Sequence, residues 1–235
     1  MITKKELKKQ FKSYLLQEIF LGAEEIAVNR IQNTQTSVVL DNQKLLENFK
    51  AQIANCTQCA LGLTRMKFVF GDGNPRAQLM FVGEGPGYEE DRQGVPFVGV
   101  AGQLLDKMIN AMGMKRSDVY IGNVVKCHPM RDPSAPDKRG NDRPPDAHEM
   151  KMCMPYLVRQ IEIIKPKIIC ALGSCAAKAL LKTSDGITKL RGREYVFADD
   201  IILIPTYHPA ALLRTPSLKK EAWEDLKKIR DLLKD

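Results

Sequence analysis

The chain has 235 residues, 44% of them apolar, and carries 36 Lys and Arg against 28 Asp and Glu, a formal net charge of +8. That length can bury one good core, or one core with an appendage, and the lack of a long uncharged apolar run argues against a membrane span. The positive balance suits a polyanionic partner, and the lysine-rich opening MITKKELKKQFKSYLLQEIF, with no apolar stretch of signal-peptide type, predicts a cytoplasmic protein.

In chain order, Leu7, Phe11, Tyr14, Leu15, Ile19 and Ile26 recur at helical spacing, so residues 1–40 read as a helical extension ending in a polar linker at 33–37. Residues 41–235 form the main domain. Asp41 can cap a helix running to Ile53, which delivers the chain to Cys56-Thr57-Gln58-Cys59. Residues 65–70 suggest an edge strand before the turn at 71–75. The short apolar run Leu79-Met80-Phe81-Val82 reads as a buried strand. It stops at Gly83-Glu84-Gly85-Pro86-Gly87, where three glycines around a proline force a sharp turn. The acidic Tyr88-Glu89-Glu90-Asp91 follows, of which Glu89 and Asp91 are expected to face solvent. Because GEGPG is not GxGxxG and the next helix starts late, no nucleotide cofactor is expected. A second glycine-bounded segment, 94–99, holds Phe97 between two turns.

Three more apolar strands are expected at 119–125, 167–172 and 201–206, with helices near 101–112, 146–164, 174–182 and 218–233. Such alternation implies an α/β fold with a mainly parallel sheet covered on both faces. Ligand sites of such sheets lie at the carboxyl ends of the strands, where Glu84, Asn123, Gly173 and His208 fall. The Pro- and charge-rich stretch 129–145 reads as a partly mobile loop. Cysteines stand at 56, 59, 127, 153, 170 and 175. Cys170 and Cys175 flank an apolar strand end and read as small buried side chains. Cys56 and Cys59 are spaced to chelate one metal or cluster, and four cysteines suit zinc as well as iron and sulfide.

CTQC, GEGPGYEED, PFVGVAGQLL, VYIGNVVKC, ALGSCAA, ITKLRG and HPAALLR, in that order, resemble the iron–sulfur (family 4) uracil-DNA glycosylases over residues 50–235. The resemblance implies a three-layer α/β/α sandwich that flips uracil out of DNA and hydrolyses its N-glycosidic bond, leaving an abasic site. It assigns Cys56, Cys59, Cys127 and Cys153 to a [4Fe–4S] cluster, with part of 129–145 as an insertion between the last two. It makes Phe97 a stacking surface for the flipped base and Asn123 the group matching the O4 and N3–H edge of uracil. His208 would hydrogen-bond to O2, helped by backbone N–H groups of the turn from Gly83 through Gly85 to Gly87. Family 1 glycosylases carry aspartate where this chain has Gly85, so Glu84 or Glu90 is expected to stabilise the sugar cation and orient the water. Leu212, with Leu213 as the alternative, is expected to wedge into the gap left by the base, and Lys189, Arg191 and Arg214 to grip phosphates. The loop 184–194 has no histidine, so cross-linking to DNA is not expected. The expected partner is uracil-containing DNA, bound by a monomer without a membrane, and the extension is a candidate arm for a repair or replication partner. The rival readings are a non-catalytic DNA-binding or damage-sensing protein of the same fold and an electron carrier; the carrier would need the cysteines but not Phe97, Asn123 and His208.

Overall fold

The computed structural model describes residues 41–198 and 200–234, so the extension expected over residues 1–40 lies outside the described residues. The first described helix, α1 (Asn42–Ile53), is capped as its sequence demands: the Asp41 carboxylate accepts from the Gln43 N–H at 3.2 Å. Residues 65–70 do not form the expected edge strand. Two of their backbone donors are taken by a carboxylate instead, Asp91 accepting from Met66 N–H at 3.0 Å and Lys67 N–H at 3.3 Å, while the Val69 N–H donates to the Lys126 carbonyl at 2.9 Å. Asp91 is accordingly buried, against the expectation that it faces solvent. The edge is made by the two-residue strand β1 (Asp72–Gly73).

The sheet comprises β1, β2 (Leu79–Gly83), β3 (Tyr120–Asn123), β4 (Ile168–Leu172), β5 (Tyr195–Ala198) and β6 (Ile201–Thr206) in the order β1-β3-β2-β4-β6-β5. β3, β2, β4 and β6 are parallel, and the two edge strands are antiparallel to their neighbours. The inner strands β2, β3 and β4 are buried at every position and mostly apolar because both faces are covered. Successive side chains alternate between the faces: Met80 and Val82 join one core, Leu79 and Phe81 the other. The first core is closed by α1, α5 (Ala147–Ile164) and α6 (Gly173–Leu181), through Leu46, Leu157, Ile161, Ala176 and Leu180. The second is closed by α4 (Val100–Ala111) and α9 (Lys219–Leu232), through Leu105, Ile109, Leu226 and Ile229. The result is a three-layer α/β/α sandwich. Among the described residues, no helix is long and apolar enough to cross a membrane.

The order places β2 between β3, its successor, and β4, so the chain leaves β2 to one side and later returns to the other. A crevice opens at the carboxyl ends of such neighbouring strands. The register aligns Gly83 with Asn123 and Leu172 with Thr206, which brings the four strand ends level.

Candidate active site and cysteine cluster

A crevice of about 750 Å³ opens at those strand ends, with Glu84, Phe97, Asn123, Gly173, His208 and Arg214 among its lining residues. Gly83 lets two of them converge: a Cβ there would lie 2.5 Å from both Asn123 Oδ1 and Phe97 Cζ. Phe97 is held from three directions in a left-handed conformation (φ 52°) that few non-glycine residues adopt. Arg116 donates to the carbonyls of Pro96 at 2.6 Å and Phe97 at 3.2 Å. Glu90 accepts from the next two N–H groups, Val98 at 2.8 Å and Gly99 at 2.9 Å. Gly102 lets the loop back onto α4, since a Cβ there would lie 1.9 Å from the Phe97 carbonyl oxygen. The Phe97 ring rests beside the His208 imidazole, 5.5 Å between centroids.

Asn123 is 2% exposed, and among the described residues its Oδ1 has no hydrogen-bond partner. Buried acceptors are seldom left so, which makes this one a place for a ligand donor. Its backbone is fixed by the buried Lys126, whose Nζ donates to the Asn123 carbonyl at 2.8 Å and to Gln160 Oε1 at 2.6 Å.

His208 caps α8 (Pro209–Arg214), its Nδ1 accepting from the Ala210 N–H at 3.2 Å. With that lone pair engaged, the neutral ring carries its proton on Nε2. Burial, with a smaller contribution from the Arg214 guanidinium, lowers the imidazole to about 4, so it is neutral at physiological pH. Gly173 (φ +87°) admits the ring: a Cβ there would meet His208 Cβ at 2.8 Å.

The two candidate carboxylates differ. Both oxygens of Glu90 are engaged by backbone, Oε2 accepting from the Gly87 N–H at 3.1 Å and Oε1 from Val98 and Gly99. Glu90 therefore clamps the two glycine-rich loops together. Glu84 also lines the crevice, with its carboxyl raised by burial and partly lowered again by the Cys175 thiol. Cys175 is not the buried filler its surroundings suggested: it is half-buried on the crevice wall beside Glu84. Its signal was its place just past a strand end. Cys170 is fully buried. Gly85 lines the crevice and passes close to Val125, 2.6 Å from an added Cβ to Cγ2.

The expected DNA contacts separate. Arg214 lines the crevice mouth. Lys189, on the one-turn helix Ile187–Leu190, is largely exposed and pairs with Asp185 at 2.9 Å. Arg191 is not free for a phosphate, because its guanidinium engages the buried Asp225 of α9 at 2.6 and 3.0 Å. Leu212 lies in the core at 2% exposure, and the exposed leucine of the pair is Leu213, at 41%. Helical geometry explains it, since adjacent residues on α8 point about 100° apart. Two contributors escaped the reading of the sequence, Lys126 and Arg116. Lys126 stands inside the motif VYIGNVVKC without a role of its own there, and both roles arise from carbonyls brought to these side chains by the fold.

Beyond the strand ends, Cys56, Cys59, Cys127 and Cys153 line one small cavity with Phe68 and Tyr156. Three of the four sulfurs accept hydrogen bonds: Cys127 from Arg65 at 3.2 Å, Cys56 from the Tyr156 hydroxyl at 3.2 Å, and Cys153 from the Lys126 N–H at 3.3 Å. Burial pushes the Cys127 thiol up to about 11 and that of Cys153 up to about 12.

The model of the uracil DNA glycosylase superfamily matches residues 70–227. Among similar proteins, the type-4 uracil-DNA glycosylase of Sulfurisphaera tokodaii is 46% identical over 195 residues, 80% of this chain and 84% of the relative. Those of Archaeoglobus fulgidus and Thermotoga maritima are each 40% identical, over 80% and 82% of this chain and 92% and 96% of theirs. With its sheet, crevice and motifs, the chain belongs to the uracil DNA glycosylase superfamily, in its type-4 family.

Proposed function

We propose that the protein removes uracil from DNA by hydrolysing the N-glycosidic bond of a flipped-out nucleotide. The observation that carries this reading is the orphaned, buried Asn123 Oδ1, which faces the crevice that Phe97 and neutral His208 share. Uracil supplies what that oxygen lacks: N3–H donates to Oδ1 while the Asn123 amide donates to O4. Cytosine offers a bare N3 and an amino group, the opposite pattern, so a fixed amide rejects it. Phe97 stacks on the flipped ring.

As the C1′–N1 bond breaks, negative charge moves onto the departing base and positive charge onto the sugar. The Nε2–H of His208 donates to O2, where the negative charge collects, and N–H groups of the 83–87 turn assist. A neutral donor suits this role and needs no proton transfer. Glu84 stabilises the cationic sugar and orients the attacking water, and Glu90 positions Phe97. Arg214 grips a phosphate and Leu213 fills the stack that the base vacates. Lys189, exposed two residues from the crevice-lining Ile187, supplies a weaker electrostatic contact.

Cys56, Cys59, Cys127 and Cys153 hold a [4Fe–4S] cluster. Four thiols lining one apolar cavity, three of them receiving hydrogen bonds, suit thiolate ligation of iron and sulfide. The cluster supplies a structural tie between the 56–59 turn, the end of β3 and α5, because this hydrolysis transfers no net electrons. Incubating the protein with uracil-containing DNA and then cleaving with alkali tests the activity. Strand breaks at uracil are expected; DNA binding without breaks would instead identify a non-catalytic binder.

A further inference from the structure

The proline- and charge-rich stretch 129–145 is a folded arm. Met130 and Asp142 form an antiparallel bridge, with the Arg143 N–H donating to the Pro129 carbonyl at 3.0 Å and the Arg131 N–H to the Asn141 carbonyl at 2.8 Å. Asn141, 4% exposed, closes the arm by donating to the carbonyls of Asp132 at 2.7 Å and Ala135 at 3.1 Å. The arm leans on helix α3 (Tyr88–Gln93), where the Tyr88 ring lies near the guanidiniums of Arg92 at 3.8 Å and Arg139 at 5.0 Å. Arg139, on the arm, and Arg214, on α8, both line the crevice. The Arg139 side chain is 77% exposed, and its one ion pair among the described residues is with Glu89 at 2.8 Å.

The arm's acids are already committed. Asp142 is bonded to His128, Asp137 pairs with Arg92, and Asp132 accepts from Ser134. An exposed arginine at the crevice mouth, on a folded arm and held by one half-exposed carboxylate, is suited to be a phosphate ligand kept in position by an exchangeable partner. A surface ion pair of this kind is worth little, whereas a guanidinium–phosphate contact also releases counterions. We propose that residues 129–145 form a strand-gripping arm, in which Arg139 exchanges its ion pair with Glu89 for a DNA phosphate beside the flipped nucleotide. This deepens the glycosylase reading and rests on it.

The test is affinity for a duplex carrying an abasic-site analogue, measured over a range of sodium chloride concentrations for the unvaried protein, Arg139→Ala, Glu89→Gln and the double variant. Arg139→Ala is expected to weaken binding about tenfold, the lower end for a charge-assisted hydrogen bond. It should also flatten the slope of log affinity against log salt by about one. Glu89→Gln is expected to tighten binding about two- to fivefold by releasing Arg139, and that gain should vanish in the double variant. If the pair merely braced the arm, Glu89→Gln would weaken binding as Arg139→Ala does, with parallel losses of thermal stability. That result, an equal gain with or without Arg139, or an unchanged slope in Arg139→Ala would overturn the proposal. Failure of the glycosylase reading shows separately, as unvaried protein that binds uracil-containing DNA without excising the base.

Discussion

At Glu84 and Glu90, two carboxylates six residues apart, burial and bonding assign opposite duties. Glu90 accepts three backbone N–H groups, from Gly87, Val98 and Gly99. Glu90→Gln turns one acceptor oxygen into a donor facing an N–H, and should cost about 1–3 kcal/mol of stability, read as a lower denaturant midpoint. Glu84 is held by burial in a state that favours its proton. Because its folded pKa is raised, the ionised form costs stability above that pKa, so Glu84→Gln should leave stability at neutral pH unchanged or higher. Its single-turnover excision should nevertheless fall by about a hundredfold or more, the scale of a lost electrostatic partner of the transition state. The pH profile follows. The proposed mechanism needs Glu84 ionised and His208 neutral; the first holds above a raised carboxyl pKa and the second above about 4. Activity should therefore fall on the acid side alone, through a step assigned to Glu84 that Glu84→Gln abolishes. A surviving step near the ordinary histidine value of about 6.5 would contradict the assignment of a permanently neutral His208.

At the scale of elements, α8 shows how a six-residue helix divides labour between neighbours. His208 caps it, Leu212 anchors it in the core beneath α4 and α9, and Leu213 and Arg214 face outward. Leu212→Ala should cost about 2–5 kcal/mol, as buried leucines do, measured by chemical denaturation. Leu213→Ala should change stability by no more than about 0.5 kcal/mol yet slow excision from duplex DNA much more than from single strands, where no stack needs filling. Equal effects on both substrates would remove Leu213 from the wedge role. The same logic governs the two glycine-rich loops, which are stitched together by Glu90 and Arg116 so that Phe97 stays in a conformation it would not adopt alone.

Across the whole molecule, the catalytic crevice and the cysteine cavity are joined by one buried lysine. Lys126 donates through its side chain to the Asn123 carbonyl and through its backbone to Cys153 Sγ. The four proposed cluster ligands come from segments far apart in the chain, so cluster occupancy should report on global stability. Cys127→Ser is expected to lose iron and sulfide and to lower the thermal midpoint. Full occupancy in that variant would break the assignment. Since burial holds the metal-free thiols of Cys127 and Cys153 protonated at neutral pH, ligation must release protons, and reconstitution followed by iron content should improve as pH rises.

Much of the fold was legible along the chain. Short apolar runs marked the four parallel strands, two of them closed by glycine at Gly83 and Gly173, Asp41 marked a helix start, and the ordered motifs named the strand-end residues that line the crevice. Such features are local, set by side-chain type and spacing. Other questions turned on which distant groups arrive beside a residue. Glu84 and Glu90 look alike in sequence, and only the approach of the Val98 and Gly99 N–H groups distinguishes them. Arg191 resembles any loop arginine until the buried Asp225, 34 residues away, claims it. Asp91 is one of three consecutive acids, yet it lies in the interior because the 66–67 backbone donors need an acceptor there. Local sequence sets what a side chain can do. The tertiary structure decides whether it is free to do it, because burial requires every polar group to find a partner, and the partner comes from elsewhere in the chain.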